Sequence, residues 1–320
     1  MTRRQQYRTE HTLIANAPAR ALYGLVADVT RWPAVFGPSV HVDLIEHDEH
    51  GERFEIWAVV NGEVGSWVSR RTFDADALRV TFEQERSRAP IASMGGEWLF
   101  RELEEGRTEV VLRHHFTAVG DDPATVAWIT EALDRNSPEE LAALGRIAES
   151  GHLVDDLVFS FTDTAGLPGS AADAYDFVYQ AQHWAERLPH VRRVRLSEPS
   201  AGVQDLEMET VTSDGSTHTT RSVRVCRAQE WIAYKQRVAP RLLLGHSGRW
   251  DFAESPEGGA LVTATHTVAI NPAAITEVLG EGSTLADARA YLRDALGRNS
   301  LATLMHAGEY AQARLTVGVD

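Results

Sequence analysis

Apolar and polar residues alternate in short stretches through most of the chain, and twice this alternation gives way to a long stretch with helical spacing. Residues 7–14 alternate weakly. Pro18 then opens a helix-like stretch through residue 29 that ends before Trp32-Pro33. Residues 40–47, 53–60, 66–73, 78–85, 97–103 and 108–118 are of strand length and rich in β-branched and aromatic side chains. Gly51, Asn61-Gly62 and Glu105-Gly106 break them. Asn61-Gly62 is the sharpest hairpin signal. In residues 123–149, Ala127, Ile129, Leu133, Leu141, Leu144 and Ile147 recur at helical spacing, and Asn136-Ser137-Pro138 predicts a kink or restart there.

The same succession returns in the second half. Trp32 and Trp184, Glu46 and Glu198, and Trp98 and Trp250 are each 152 positions apart. The spacing holds from His114 to His266 and widens to 163 between Arg135 and Arg298, so the second copy carries 11 extra residues near positions 271–285. Two copies of one unit are expected, residues 1–150 and 151–320, joined without a flexible linker. The fold class is α+β. In each unit a curved antiparallel sheet covers its apolar face with one long C-terminal helix, and an internal cavity lies between them.

Composition narrows the partners. The 31 basic and 46 acidic side chains leave a net charge of −15, which repels a phosphate backbone, so no nucleic-acid partner is expected. No leader peptide and no apolar run of membrane-spanning length is read, which predicts a cytoplasmic protein with no membrane association. The single cysteine, Cys226, permits no internal disulfide and reads as a small core residue. Glycine-rich phosphate loops, a G-x-S-x-G elbow and metal-ligand spacings are all missing. Neither a cofactor nor a metal is expected.

Candidate chemistry lies on one strand. Residues two apart share a face, so Trp67, Ser69, Arg71 and Phe73 point one way and Val68, Arg70 and Thr72 the other. This places a guanidinium among aromatic rings. With the Trp32-Pro33 corner, the Trp67-Val68-Ser69-Arg70-Arg71 strand and the Asn-Ser element of the final helix, the chain resembles the helix-grip (START-like, Bet v 1-like) polyketide cyclase superfamily. The tandem arrangement is similar to the di-domain aromatase/cyclases of bacterial type II polyketide synthases.

The resemblance implies first-ring aldol closure, dehydration and aromatisation of a poly-β-ketone tethered to an acyl carrier protein, alongside other type II synthase components. It also implies that Arg71 is the cavity arginine, with Ser69 and Trp67 on the same wall. Ser39 stands about where single-domain relatives offer a tyrosine. A guanidinium suits the enolate oxygens of such chemistry, with Ser69 as a positioning donor. His114, on an apolar strand face and repeated as His266, would have a pKa near neutrality and move a proton.

Trp32, Phe36 and Trp184 are candidate cavity walls, as is Trp57, whose direction the alternation leaves open. In the second copy, Arg221 is the candidate cation, aligned opposite Ser69 or Arg70. The first unit is expected to do the chemistry and the second to bind, gate or support it. Arg86-Ser87-Arg88 and Arg192-Arg193-Val194-Arg195 are candidate basic patches for an acidic carrier protein. The same fold also carries lipids and small molecules without catalysis, and that binding or transport role is the alternative reading.

Overall fold

The computed structural model describes residues 5–211, 215 and 217–317. It divides into two compact units, Met1–Asp155 and Asp156–Asp320.

In the first unit β1 (Tyr7–Ala15) leads into α1 (Ala19–Ala27), the short α2 (Trp32–Val35), and a meander of β2 (Ser39–His47), β3 (Gly51–Val60), β4 (Glu63–Asp74), β5 (Arg79–Arg86), β6 (Ile91–Glu102) and β7 (Thr108–Ala118). The long α3 (Pro123–Ala148) closes it. The sheet order is β1-β7-β6-β5-β4-β3-β2, with every pairing antiparallel.

Local chemistry sets these boundaries. Asn61 and Gly62 both adopt positive φ, 52° and 88°, the two-residue turn that matches strand twist between β3 and β4. Asp122 caps α3 by accepting from the Thr125 amide at 2.9 Å, and Pro123 occupies the first turn, where its missing N–H costs nothing. The predicted restart at Pro138 does not occur: α3 runs unbroken through it, with Ile129, Leu133, Leu141, Leu144 and Ile147 buried along one face. Packing of that face outweighs the one backbone hydrogen bond that Pro138 removes.

The second unit begins with the short α4 (Val154–Leu157), which straddles the division, and β8 (Val158–Leu167). It repeats the plan through α5 (Ala171–Tyr179), α6 (Trp184–Arg187), β9 (Val191–Ser200), β10 (Val203–Val211), β11 (Thr217–Arg227), β12 (Trp231–Val238), β13 (Leu243–Glu254) and β14 (Ala260–Ile270). Its sheet order, β8-β14-β13-β12-β11-β10-β9, is that of the first unit. The extra residues form α7 (Ile275–Leu279) ahead of the long α8 (Leu285–Val317). Thr284 and Asp287 cap α8 reciprocally, the Thr284 amide donating to the Asp287 carboxylate and the Asp287 amide to the Thr284 hydroxyl. No helix among the described residues is long and apolar enough to cross a membrane.

Candidate active site

Between the inner face of the first sheet and α3 lies a cavity of about 150 Å³, or about 1030 Å³ with its open mouth included. Phe54, Ile56, Ala58 and Val60 of β3 and Trp67, Ser69 and Arg71 of β4 form one wall, because alternate residues of a strand face the same side. Trp98, Leu112 and His114 continue that wall on β6 and β7, while Ile129, Ala132, Leu133 and Asn136 of α3 close it from above. Trp32, Phe36 and Ser39 form the end. Trp128 is 36% exposed yet lines the cavity, so it marks the mouth.

The alternation on β4 is as the sequence predicts: Ser69 and Arg71 are buried inside and Arg70 is exposed outside. What the pattern did not carry is how Arg71 is held. Its Nε donates to Glu52 Oε1 at 2.8 Å, its Nη1 to the Val26 carbonyl at 2.7 Å and its Nη2 to the Ala27 carbonyl at 2.7 Å, with a further Nη2–Glu52 contact. Trp32 lies 4.8 Å from the guanidinium carbon, and Phe54 and Phe73 flank it. Burial pulls the guanidinium below its ordinary pKa and pushes the Glu52 carboxyl above its own, and each partner opposes the other's shift. Arg71 lines the cavity as expected, but most of its donors are already engaged. Arg71 fastens the C-terminal carbonyls of α1 to the sheet and presents to the cavity what remains.

His114 sits on the cavity wall, edge-on to Phe82, with its Nδ1 buried and lacking a hydrogen-bond partner among the described residues. Burial pushes its pKa down to about 3, so the near-neutral value expected from sequence is corrected: the ring is neutral at physiological pH. Trp57 is also corrected. It faces away from the cavity and packs its ring 5.5 Å from that of His41, because the inner positions of β3 belong to Ile56 and Ala58. Sequence reasoning missed Gln84, Asn136, Ser137 and Glu140, all lining the cavity. The helical spacing of 136, 137 and 140 on α3 was the available signal.

In the second unit Arg221 is exposed on the outer face of β11, ion-paired to Glu207. The buried cation is Arg224, which donates to the Val178 carbonyl at 2.6 Å as Arg71 does to that of Val26, and lies 5.4 Å from the Trp184 ring. Trp184 is buried, its indole N–H donating to the Phe177 carbonyl. His266 is buried, with its Nδ1 3.1 Å from both Tyr234 Oη and His246 Nε2. Of the proposed basic patches, Arg192, Arg193 and Arg195 are each ion-paired to Glu207 or Glu209, whereas Arg86 and Arg88 are exposed.

A sheet closed over one long helix, built twice here and in the first unit enclosing an apolar hollow with a few inward polar groups, defines a helix-grip small-molecule protein. A family model described as polyketide cyclase / dehydrase and lipid transport matches residues 15–136. A granaticin polyketide synthase bifunctional cyclase/dehydratase of Streptomyces violaceoruber is 62% identical over 96% of this chain and 94% of its own. The actinorhodin polyketide synthase bifunctional cyclase/dehydratase of Streptomyces coelicolor is 54% identical over 97% of this chain and 99% of its own. Among solved structures, the di-domain ARO/CYC BexL of the BE-7585A pathway superposes with a TM-score of 0.79 at 48% identity, covering 96% of this chain and 99% of that one. The chain belongs to the polyketide cyclase/dehydratase family in its two-domain aromatase/cyclase form, and is an enzyme of polyketide biosynthesis.

Proposed function

We propose that the first unit closes, dehydrates and aromatises the first ring of a carrier-bound poly-β-ketone in its cavity. The observation that carries this is the cavity itself. Its volume, about 150 Å³, matches the space that holds one benzene-sized ring, and its mouth at Trp128 leaves room for the rest of a chain. In the aldol step a proton leaves an α-carbon, the carbon attacks a ketone carbonyl, and the ketone oxygen takes a proton. Loss of that oxygen as water, with a second α-proton, forms the double bond. Neither step consumes an oxidant or a reductant.

Roles follow from the donors at hand. The neutral His114 imidazole serves as a hydrogen-bonding electrophile toward the developing enolate oxygen rather than as a strong base. Ser69, buried on the same wall, positions the carbonyl. Glu140 is the one carboxylate among the lining residues and is assigned the α-proton. Arg71 contributes a fixed positive charge behind this wall and acts chiefly as a positioning residue. Trp32, Trp67 and Phe36 hold the ring. The carrier protein would dock through Arg86 and Arg88, in the cytoplasm.

The test is a reconstituted minimal synthase supplied with the wild type, with S69A, and with H114L. Wild-type protein should yield a product lighter by water and with a new aromatic absorption. If both variants matched the wild type, Ser69 and His114 would have no part in the reaction; if the wild type itself gave neither water loss nor the new absorption, the cavity would be a carrier site without chemistry.

A further inference from the structure

The two units carry the same row of residues across their sheets, and the two rows differ in charge. In the first unit Glu52, Arg71, Phe82, Gly96 and His114 are successive register partners on β3 to β7. In the second, Gln204, Arg224, Tyr234, Gly248 and His266 are successive partners on β10 to β14. Glutamate has become glutamine and phenylalanine has become tyrosine.

The first change removes the bonded countercharge and leaves Glu198 acting on Arg224 only through space. Arg71 shares its guanidinium with Glu52, but the neighbour of Arg224 is a neutral amide. Arg224 is 1% exposed, and its Nε and Nη1 have no hydrogen-bond partner among the described residues. Its Nη2 donates to the Val178 carbonyl. Glu198 does not take the place of Glu52: its carboxylate accepts from the Tyr179 hydroxyl at 2.7 Å, the Gly202 amide at 2.9 Å and the Gln204 amide at 3.2 Å.

The second change makes the rest of the row polar without adding charge. Tyr234 and His266 meet across Gly248, where a Cβ would stand 2.4 Å from the tyrosine oxygen. Burial holds His246 at about 3 and His266 at about 4, so both are neutral and Arg224 is the permanent charge on the row. Their remaining nitrogens, His246 Nδ1 and His266 Nε2, are buried without partners among the described residues, as are the amide oxygens of Gln204 and Gln236. So many unpaired polar atoms on one buried face call for a polar occupant.

We infer that the inner face of the second unit is a separate ligand site, in which Arg224 binds the oxyanion of a flat enol or phenol through its Nε and Nη1 donors. A buried cation whose nearby carboxylate, Glu198, is bonded to other groups keeps unsatisfied donors, and that cost is offset when an anion arrives. The Trp184 ring beside the guanidinium favours a planar ligand over an inorganic ion. This site is independent of ring closure in the first unit, and it revises the expectation that the second copy's cation is Arg221.

Gln204→Glu gives the second unit the ion pair of the first and so occupies the proposed site from within. The probe is 2-hydroxy-1,4-naphthoquinone, whose enol is acidic, compared with its neutral 2-methoxy analogue by calorimetric titration of the full chain. The wild type should prefer the acidic probe by about tenfold or more, the contribution of a charge-assisted hydrogen bond. Q204E, folded by circular dichroism, should lose that preference. Equal preference in Q204E and the wild type, or none in the wild type, overturns the inference. Should Q204E fail to fold, the same titration of R224M decides, with retained preference counting against the site.

Discussion

Replacing Arg71 with methionine tests how the first unit is fastened together. The substitution keeps an unbranched apolar stem but deletes the guanidinium, leaving Glu52, whose side chain is 3% exposed, without its partner. It also orphans the Val26 and Ala27 carbonyls. Breaking one side of a buried ion pair costs about 3–5 kcal/mol, and the carbonyls add to the upper end of that range. Glu52 can escape part of the penalty by protonating, so the loss should be smaller at pH 5 than at pH 8. Removing both partners, as in E52L with R71M, takes the stranded carboxylate away and should recover about half of the loss. The assay is urea unfolding of the four chains of this double-mutant cycle, with the first unit's transition followed separately, since two units need not melt together. A loss below about 1 kcal/mol in R71M, or a double variant less stable than R71M alone, would refute the clamp. The experiment also bears on activity, because loss of turnover in an Arg71 variant speaks for an oxyanion contact only if α1 is still in place.

Three further outcomes are expected. His114 is held near 3, His246 near 3 and His266 near 4; each is depressed below its unfolded value, so their contribution is complete above about pH 6.5 and is lost as pH falls toward 3–4. Stability should fall there by up to about 1.4 kcal/mol per pH unit per histidine, and H114L should remove one histidine's share of that slope in denaturant titrations from pH 7 to 4. Glu140→Gln should lower kcat by about 100-fold or more with KM little changed, measured as aromatic product formed per unit time. Gly96→Ala would set a Cβ 2.0 Å from the Arg113 carbonyl oxygen and 2.6 Å from Phe82 Cζ, so its melting transition should drop by about 1–3 kcal/mol equivalent.

The frame of each unit was legible because its signals are local. Period-two alternation gives β3 and β4, the Asn61-Gly62 turn gives their hairpin, and the spacing of Ile129, Leu133, Leu141 and Leu144 gives α3. Alternation gave which residues of β4 share a face, and the family resemblance gave that the face of Ser69 and Arg71 is the inner one. Arg224 was missed because spacing between the copies shifts from 152, at Glu52 and Gln204, to 153 at Arg71 and Arg224, and returns to 152 at Phe82 and Tyr234. The extra residue lies ahead of Arg224: β3 and β4 are joined by a two-residue turn, whereas β10 and β11 are joined through residues 212–216. A slip of one position exchanges the faces of a strand, so a constant offset selected the outward Arg221. Trp57 stayed open for a related reason, since it shares a face of β3 with Arg53, Glu55 and Val59 and only tertiary packing assigns that mixed face to the outside. The Glu52 clamp and the depressed His114 arise from burial and from contacts distant in sequence, which no pattern of spacing records.

The fastening at α1 has a mechanical consequence. With Arg71 tying the last turn of that helix to β3 and β4, the closed end of the hollow behaves as a fixed hinge post. Access has to come from the opposite end, where the Asn61 side-chain amide donates to the Trp128 carbonyl and Asn136 reaches back to that of Val59. Those bonds pin the tip of the β3–β4 hairpin to α3 beside the mouth, so the rim of the chamber is set by a turn and a helix held at two points.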